Sequence, residues 1–162
     1  MAGVFLDDLD LRILRALQED SSITNLELAS RVHASAPTCL RRVRALKESG
    51  VIQREIAVLD RAKLGPTLTA VVEVSLDRQT AEDFDTFETF ICAEPAVTQC
   101  YRVSPGPDFV VVAEVADMPE YDELARRLFK SSTNIRNVRT FFSTRRAKFE
   151  ANAPIRLTAE RQ

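Results

Sequence analysis

The chain has 162 residues, 45% of them hydrophobic, with 22 basic and 24 acidic side chains, enough for one medium domain or two small ones. No stretch is apolar for the length a bilayer span needs, and the acidic start "MAGVFLDDLDLRIL" lacks the basic region of a signal peptide. A single histidine and three cysteines (Cys39, Cys92, Cys100) without CxxC spacing support neither a zinc cluster nor a disulfide framework, so the composition predicts a cytoplasmic protein with reduced, buried cysteines, no metal and no cofactor.

In chain order, the first sixty residues carry a helical period. Asp8 or Asp10 is expected to cap a first helix whose stripe is Leu11, Ile13, Leu14 and Leu17, ending near "EDSS". "TNLE" has the spacing of a capping box, Thr24 with Glu27, opening a second helix with Leu26, Leu28, Ala29 and Val32 inward. Ser35 caps a third helix that tolerates Pro37 in its first turn and stops at Gly50. "VIQREIAVLD" then turns β-like and is expected to form a small wing, and "RAKLGP" breaks the pattern. The expected division is a DNA-binding domain at 1–60, a linker at 61–66, a second domain at 67–150 and a tail at 151–162.

From residue 67 the period changes. "LTAVVEVSL" is a strand with Leu68, Ala70, Val72, Val74 and Leu76 on one face; a helix follows with Phe84, Phe87, Phe90 and Ile91 inward, stopped by Pro95. "VTQCYRV" and "FVVVAEV" are strands around the turn "SPGPD", "MPEYDELARRLFKS" is a helix with Tyr121, Leu124, Ala125, Leu128 and Phe129 inward, and "VRTFFST" is a last strand. The order β-α-β-β-α-β is the ferredoxin-like arrangement, so the fold class is α+β: an N-terminal winged helix-turn-helix and a C-terminal ferredoxin-like βαββαβ domain. Val71, Val110, Val112 and Phe141 fall on the sheet face that two helices leave open, which predicts burial against another subunit.

Charge divides the same way. Residues 28–63 hold eight basic and three acidic side chains, although the chain as a whole is net −2. Two helices joined by a tight turn, the second rich in arginine, form the helix-turn-helix pattern for double-stranded DNA. At about 100° per residue, Ala36, Cys39, Leu40, Val43 and Leu46 make its packed face, with Thr38, Arg41, Arg42 and Ala45 opposite. Ser35, Pro37, Thr38 and Arg41 lie toward the end that enters the major groove, with Asn25 at the start of the preceding helix. Arg41 suits guanine, and Arg42, Arg44 and Lys47 suit phosphate.

These residues carry a resemblance. The run from Asp8 to Leu17, the "LASRV" of Leu28–Val32 and the span from Ser35 to Ile52 resemble the winged helix-turn-helix of the leucine-responsive/asparagine-synthesis (Lrp/AsnC, feast/famine) regulators, and the second half is similar to their sensing domain. The resemblance implies a transcriptional regulator, not an enzyme, built as homodimers that assemble into tetramers or octamers, with an amino acid or similar small molecule as effector. It carries the effector site onto Ser104, Gly106 and Asp108 of "VSPGPDF". Beside them, Thr140 and Ser143 on the last strand are expected to supply hydroxyls. Pro105 stands where the family pattern has glycine, which departs from it. A ferredoxin-like metabolite-sensing module that regulates an enzyme is the alternative, and it leaves the first sixty residues without a role.

Overall fold

The computed structural model describes residues 5–60, 63–130 and 134–155. Arg61 and Ala62 of the expected linker, Ser131 at the end of the expected last helix, and the tail beyond Ile155 lie outside them. None of the described helices is long and apolar enough to cross a membrane. The chain separates into two compact units, one running to Val58 and resuming at Phe149, the other spanning Leu59–Lys148.

In the first unit, α1 (Asp8–Glu19), α2 (Asn25–Arg31) and α3 (Ala36–Glu48) surround a core of Ile13, Ala16, Leu28, Ala29, Val32, Cys39 and Leu46. The cap of α1 is Asp7, not Asp8 or Asp10. Its carboxylate accepts the Asp10 amide while the Asp10 carboxylate accepts the Asp7 amide, a reciprocal box at N-cap and N3. Thr24 and Glu27 form the expected box on α2, and Ser35 caps α3. Between α2 and α3 the chain reverses through His33, at φ +54, with the Ala34 amide returning to the Ala29 carbonyl at 3.0 Å. That is a Schellman-type stop with histidine in the place glycine commonly takes. Gly50, at φ +75, ends α3 as expected.

Three expectations for this unit change. Leu26 is 74% exposed and Leu40 53% exposed, because each sits at the border of its helix's apolar stripe and no neighbouring helix reaches it. Val51 and Ile52 pack on the core, but Gln53–Asp60, expected as a wing, takes no regular secondary structure. No strand lies beside it among the described residues of its unit, and a lone strand has no ladder to satisfy its backbone groups. Residues 151–155, read as part of a tail, pack on α1: Gln18 and Ala153 exchange two hydrogen bonds (3.1 and 2.6 Å), and Arg15 donates to the Ile155 carbonyl at 3.1 Å.

The second unit runs β1 (Leu68–Leu76), α4 (Ala81–Cys92), β2 (Val97–Arg102), β3 (Phe109–Val115), α5 (Met118–Ala125, continued by a wider π turn over Arg126–Lys130) and β4 (Ile135–Phe142). The strands form one antiparallel sheet in the order β2-β3-β1-β4, the ferredoxin-like topology. One face, with Ala70, Val72, Val74, Leu76, Phe109, Val111, Ala113 and Val115, is buried under Phe87 and Ile91 of α4 and Tyr121, Leu124, Leu128 and Phe129 of the α5 segment. Phe90, placed on the inner stripe by the sequence, is 44% exposed, since Phe87 and Ile91 already fill the contact with the sheet. Opposite faces follow from the two-residue period of a strand. Val71, Val110 and Val112 are therefore only half-buried, and Phe141 and Tyr101 stay exposed.

Candidate functional site

The arginine-rich helix α3 is held at three points. Ser35 Oγ accepts the Thr38 amide at 3.3 Å and shares a 2.8 Å hydrogen bond with the Thr38 hydroxyl. Asn25 Nδ2 donates to the Ala36 carbonyl at 2.8 Å, tying the start of α2 to the start of α3. Arg42 reaches back to α1, with Nη1 at 3.1 Å from Asp10 Oδ2 and Nη2 at 2.8 Å from Asp7 Oδ2. Asp10 is only 5% exposed, and a carboxylate so buried requires a charged, hydrogen-bonded partner. Arg42, expected on phosphate, has its guanidinium engaged with the two carboxylates of the α1 cap. Asn25 and Ser35 likewise spend their polar atoms on positioning α3 rather than on its outer face.

What remains outward is Pro37, Arg41, Arg44, Ala45 and Lys47, all exposed, with Thr38 half-buried beside them. Among the described residues neither Arg41 nor Arg44 meets a carboxylate. Lys47 Nζ lies 2.9 Å from Glu55, each about half-exposed, and a pair so open to water contributes at most about 1 kcal/mol. The first turn of α3 has no acidic residue, so its positive end is open to an anion. The face offers long planar donors beside one small side chain, which suits close approach to a polyanion with bidentate reading of a base edge.

The expected effector residues do not form one site within a chain. Ser104, Pro105 and Gly106 form an exposed turn, with Gly106 at φ +122, where only glycine is unstrained. Asp108 follows it, but its carboxylate is engaged: Oδ2 accepts the Leu76 amide at 2.7 Å, and Gln79 Nε2 donates to both oxygens at 3.0 and 3.1 Å. Asp108 therefore ties the β2–β3 turn to the end of β1. The Thr140 hydroxyl hydrogen-bonds to the Tyr121 hydroxyl, beneath the helix layer. Ser143 lies beyond β4, its amide on the Thr69 carbonyl at 2.9 Å. Thr69 and Leu76 are at opposite ends of β1, so at about 3.3 Å per residue Ser143 is about 20 Å from Asp108. Antiparallel register and strand alternation separate what the sequence grouped.

Sequence reasoning missed the partners more than the residues. Asp7 and Asp10 carry a readable signal, the N-cap-to-N3 spacing, whereas nothing in the local sequence joins Arg42 to α1 or Gln79 to Asp108. The cysteines also depart from expectation: Cys39 is buried, but Cys100 is only partly so and Cys92 is exposed.

Two family models match the chain. Residues 6–53 match a family model described as winged helix-turn-helix DNA-binding, and residues 69–152 match the Lrp/AsnC ligand binding domain. The chain is 37% identical over 145 residues to a leucine-responsive regulatory protein of Rhizobium meliloti, covering 90% of this chain and 93% of that one. The crystal structure of an AsnC family transcriptional regulator from Agrobacterium tumefaciens superposes with a TM-score of 0.84 at 32% identity, covering 92% of this chain and 97% of the other. A transcriptional regulator from Neisseria meningitidis, solved as a complex with L-Met, superposes with a TM-score of 0.82 at 27% identity over 93% of this chain and 97% of its own. A helix-turn-helix with an outward arginine face, followed by a βαββαβ ligand-binding domain, places this chain in the Lrp/AsnC family of DNA-binding transcriptional regulators.

Proposed function

We infer that this protein regulates transcription in the cytoplasm by inserting the N-terminal end of α3 into the major groove. The observation that carries the reading is the split among its polar residues: Asn25, Ser35 and Arg42 are spent on holding α3, while Arg41 and Arg44 stand free of carboxylates among the described residues. Arg41, nearer the entering end, is the base reader, and Arg44 and Lys47 contact phosphate. Arg41→Ala is expected to weaken the preferred site by about 1–3 kcal/mol and to relax base choice, with little effect on random DNA. Arg44→Ala is expected to weaken specific and random DNA alike and to reduce the salt slope by about one. Fluorescence anisotropy over a salt series separates the two, and wild-type binding by both variants would overturn the assignment.

The ligand-binding domain is read as a sensor of a small molecule with an α-amino group, a reading supported by the L-Met complex of the Neisseria relative. The open sheet face with Val71, Val110, Val112 and Phe141 supports a homodimer as the basic unit and larger assemblies, tetramer or octamer, built from it. An effector site that uses both the Asp108 turn and Ser143 then draws them from different copies. Light scattering of the full chain is expected to give a dimer or larger species. Val112→Arg, on the open face, is expected to shift it toward monomer without unfolding it, and a monomeric wild-type protein would sink this reading.

A further inference from the structure

Cys92 and Cys100 lie outside the residues proposed for DNA reading and effector binding, and the fold sets them on two elements that pack together. Cys92 is the last residue of α4 and is exposed; Cys100 is in β2, paired with Val111 on the sheet face that α4 covers, and is partly buried. α4 packs on β2 directly across the turn that joins them, and the Cys92 thiol is near enough to act on the Cys100 thiol. The intervening turn is fixed. The Glu94 amide returns to the Ile91 carbonyl, the Val97 amide to the Glu94 carbonyl, and the Glu94 carboxylate receives Arg127 at 2.8 Å. Cys39, by contrast, is fully buried in the other unit with no thiol partner.

We propose that Cys92 and Cys100 form a peroxide-sensitive dithiol that closes reversibly to an intrachain disulfide, with Cys92 attacking and Cys100 resolving. The exposed Cys92 thiolate attacks the terminal oxygen of a hydroperoxide. The O–O bond breaks, Cys92 becomes a sulfenic acid, and the alcohol (or water) leaves after taking up a proton. Cys100 sulfur then attacks the Cys92 sulfur, forming the S–S bond and expelling hydroxide, which leaves as water with the Cys100 proton. Two thiols lose two electrons and one peroxide gains them. The order of roles follows from surroundings. Burial, and then the neighbouring thiol, push the Cys100 thiol up to about 12, so it stays protonated while Cys92 meets the oxidant. A sulfenic acid formed within reach of a second thiol condenses with it before further oxidation.

Both cysteines fall in one tryptic peptide, Gln79–Arg102, which has no internal lysine or arginine, so the test needs no variant. The full chain is treated with hydrogen peroxide, its remaining thiols are alkylated under denaturing conditions, and the digest is weighed. The expected result is a Gln79–Arg102 peptide that is unalkylated and lighter by two hydrogens, restored by dithiothreitol, with Cys39 alkylated throughout. Cys100→Ser is expected to leave Cys92 accumulating sulfinic and sulfonic acid, and Cys92→Ser to leave Cys100 alkylatable. Wild-type protein showing sulfinic acid at Cys92 beside an alkylatable Cys100, or a Cys92–Cys92 link between chains, would overturn the proposal.

Discussion

Arg42→Ala is expected to destabilise the DNA-reading unit by about 3 kcal/mol, the low end of what removing one partner of a buried ion pair costs. The low end applies because the Arg42 side chain is 29% exposed, so water offsets part of the loss. What remains is the carboxylate of Asp10, 5% exposed, with no cation beside it and the N-cap of α1 tied to it. In a unit this small, that is a large share of the total stability. Urea denaturation followed by far-ultraviolet circular dichroism should show an early loss of helix signal for the variant, and Arg42→Lys should recover only part of it, since an ammonium cannot span two carboxylates as a guanidinium fork does. Arg41→Ala should denature like wild type. If Arg42→Ala matched wild type in urea but lost DNA affinity, the phosphate assignment would stand and the structural one would fall.

The same cluster sets a pH dependence. The Asp10 amide, and after it the charge of Arg42, hold the Asp7 carboxyl below its ordinary value of 3.8. A carboxyl depressed in the folded state stabilises above the unfolded value and loses that contribution as pH falls through the depressed one. The DNA-reading unit should therefore keep this contribution at neutral pH and lose it only in acid.

How far the sequence could be read depended on whether the deciding contact was local. Thr24 with Glu27, Ser35 and Gly50 were legible because caps act over three or four residues. The strands were legible because Ala70, Val72, Val74 and Leu76 alternate in a run that only a buried face explains. Leu26, Leu40 and Phe90 were misplaced because helical period gives the direction of a stripe, while its width depends on how far the neighbour extends. The ion pair of Arg42 was not legible because its partner Asp10 lies 32 residues upstream, on α1, a pairing that only tertiary structure creates. The expected effector residues divide for the same reason: within one chain Asp108 and Ser143 lie at opposite ends of β1.

Asp108 combines a structural and a proposed functional role, and two substitutions separate them. Asp108→Ala removes the acceptor of the partly buried Leu76 amide and both contacts to Gln79, so it is expected to cost the ligand-binding unit about 1–3 kcal/mol before any effector is added. Asp108→Asn keeps an oxygen for the Leu76 amide, and the Gln79 amide can rotate to accept from the new nitrogen. That variant is expected to melt close to wild type. It lacks the charge, and a charge-assisted hydrogen bond to an ammonium contributes about 1.5–3 kcal/mol, so amino-acid binding should weaken by about 10- to 100-fold. Thermal shift against a panel of amino acids, followed by calorimetry on any that raise the melting temperature, reads both effects. Wild-type melting by Asp108→Ala would show that the tie to Leu76 carries no weight. A full ligand shift in Asp108→Asn would show that the effector's amino group is met elsewhere, leaving Asp108 as the anchor of the turn that shapes the site.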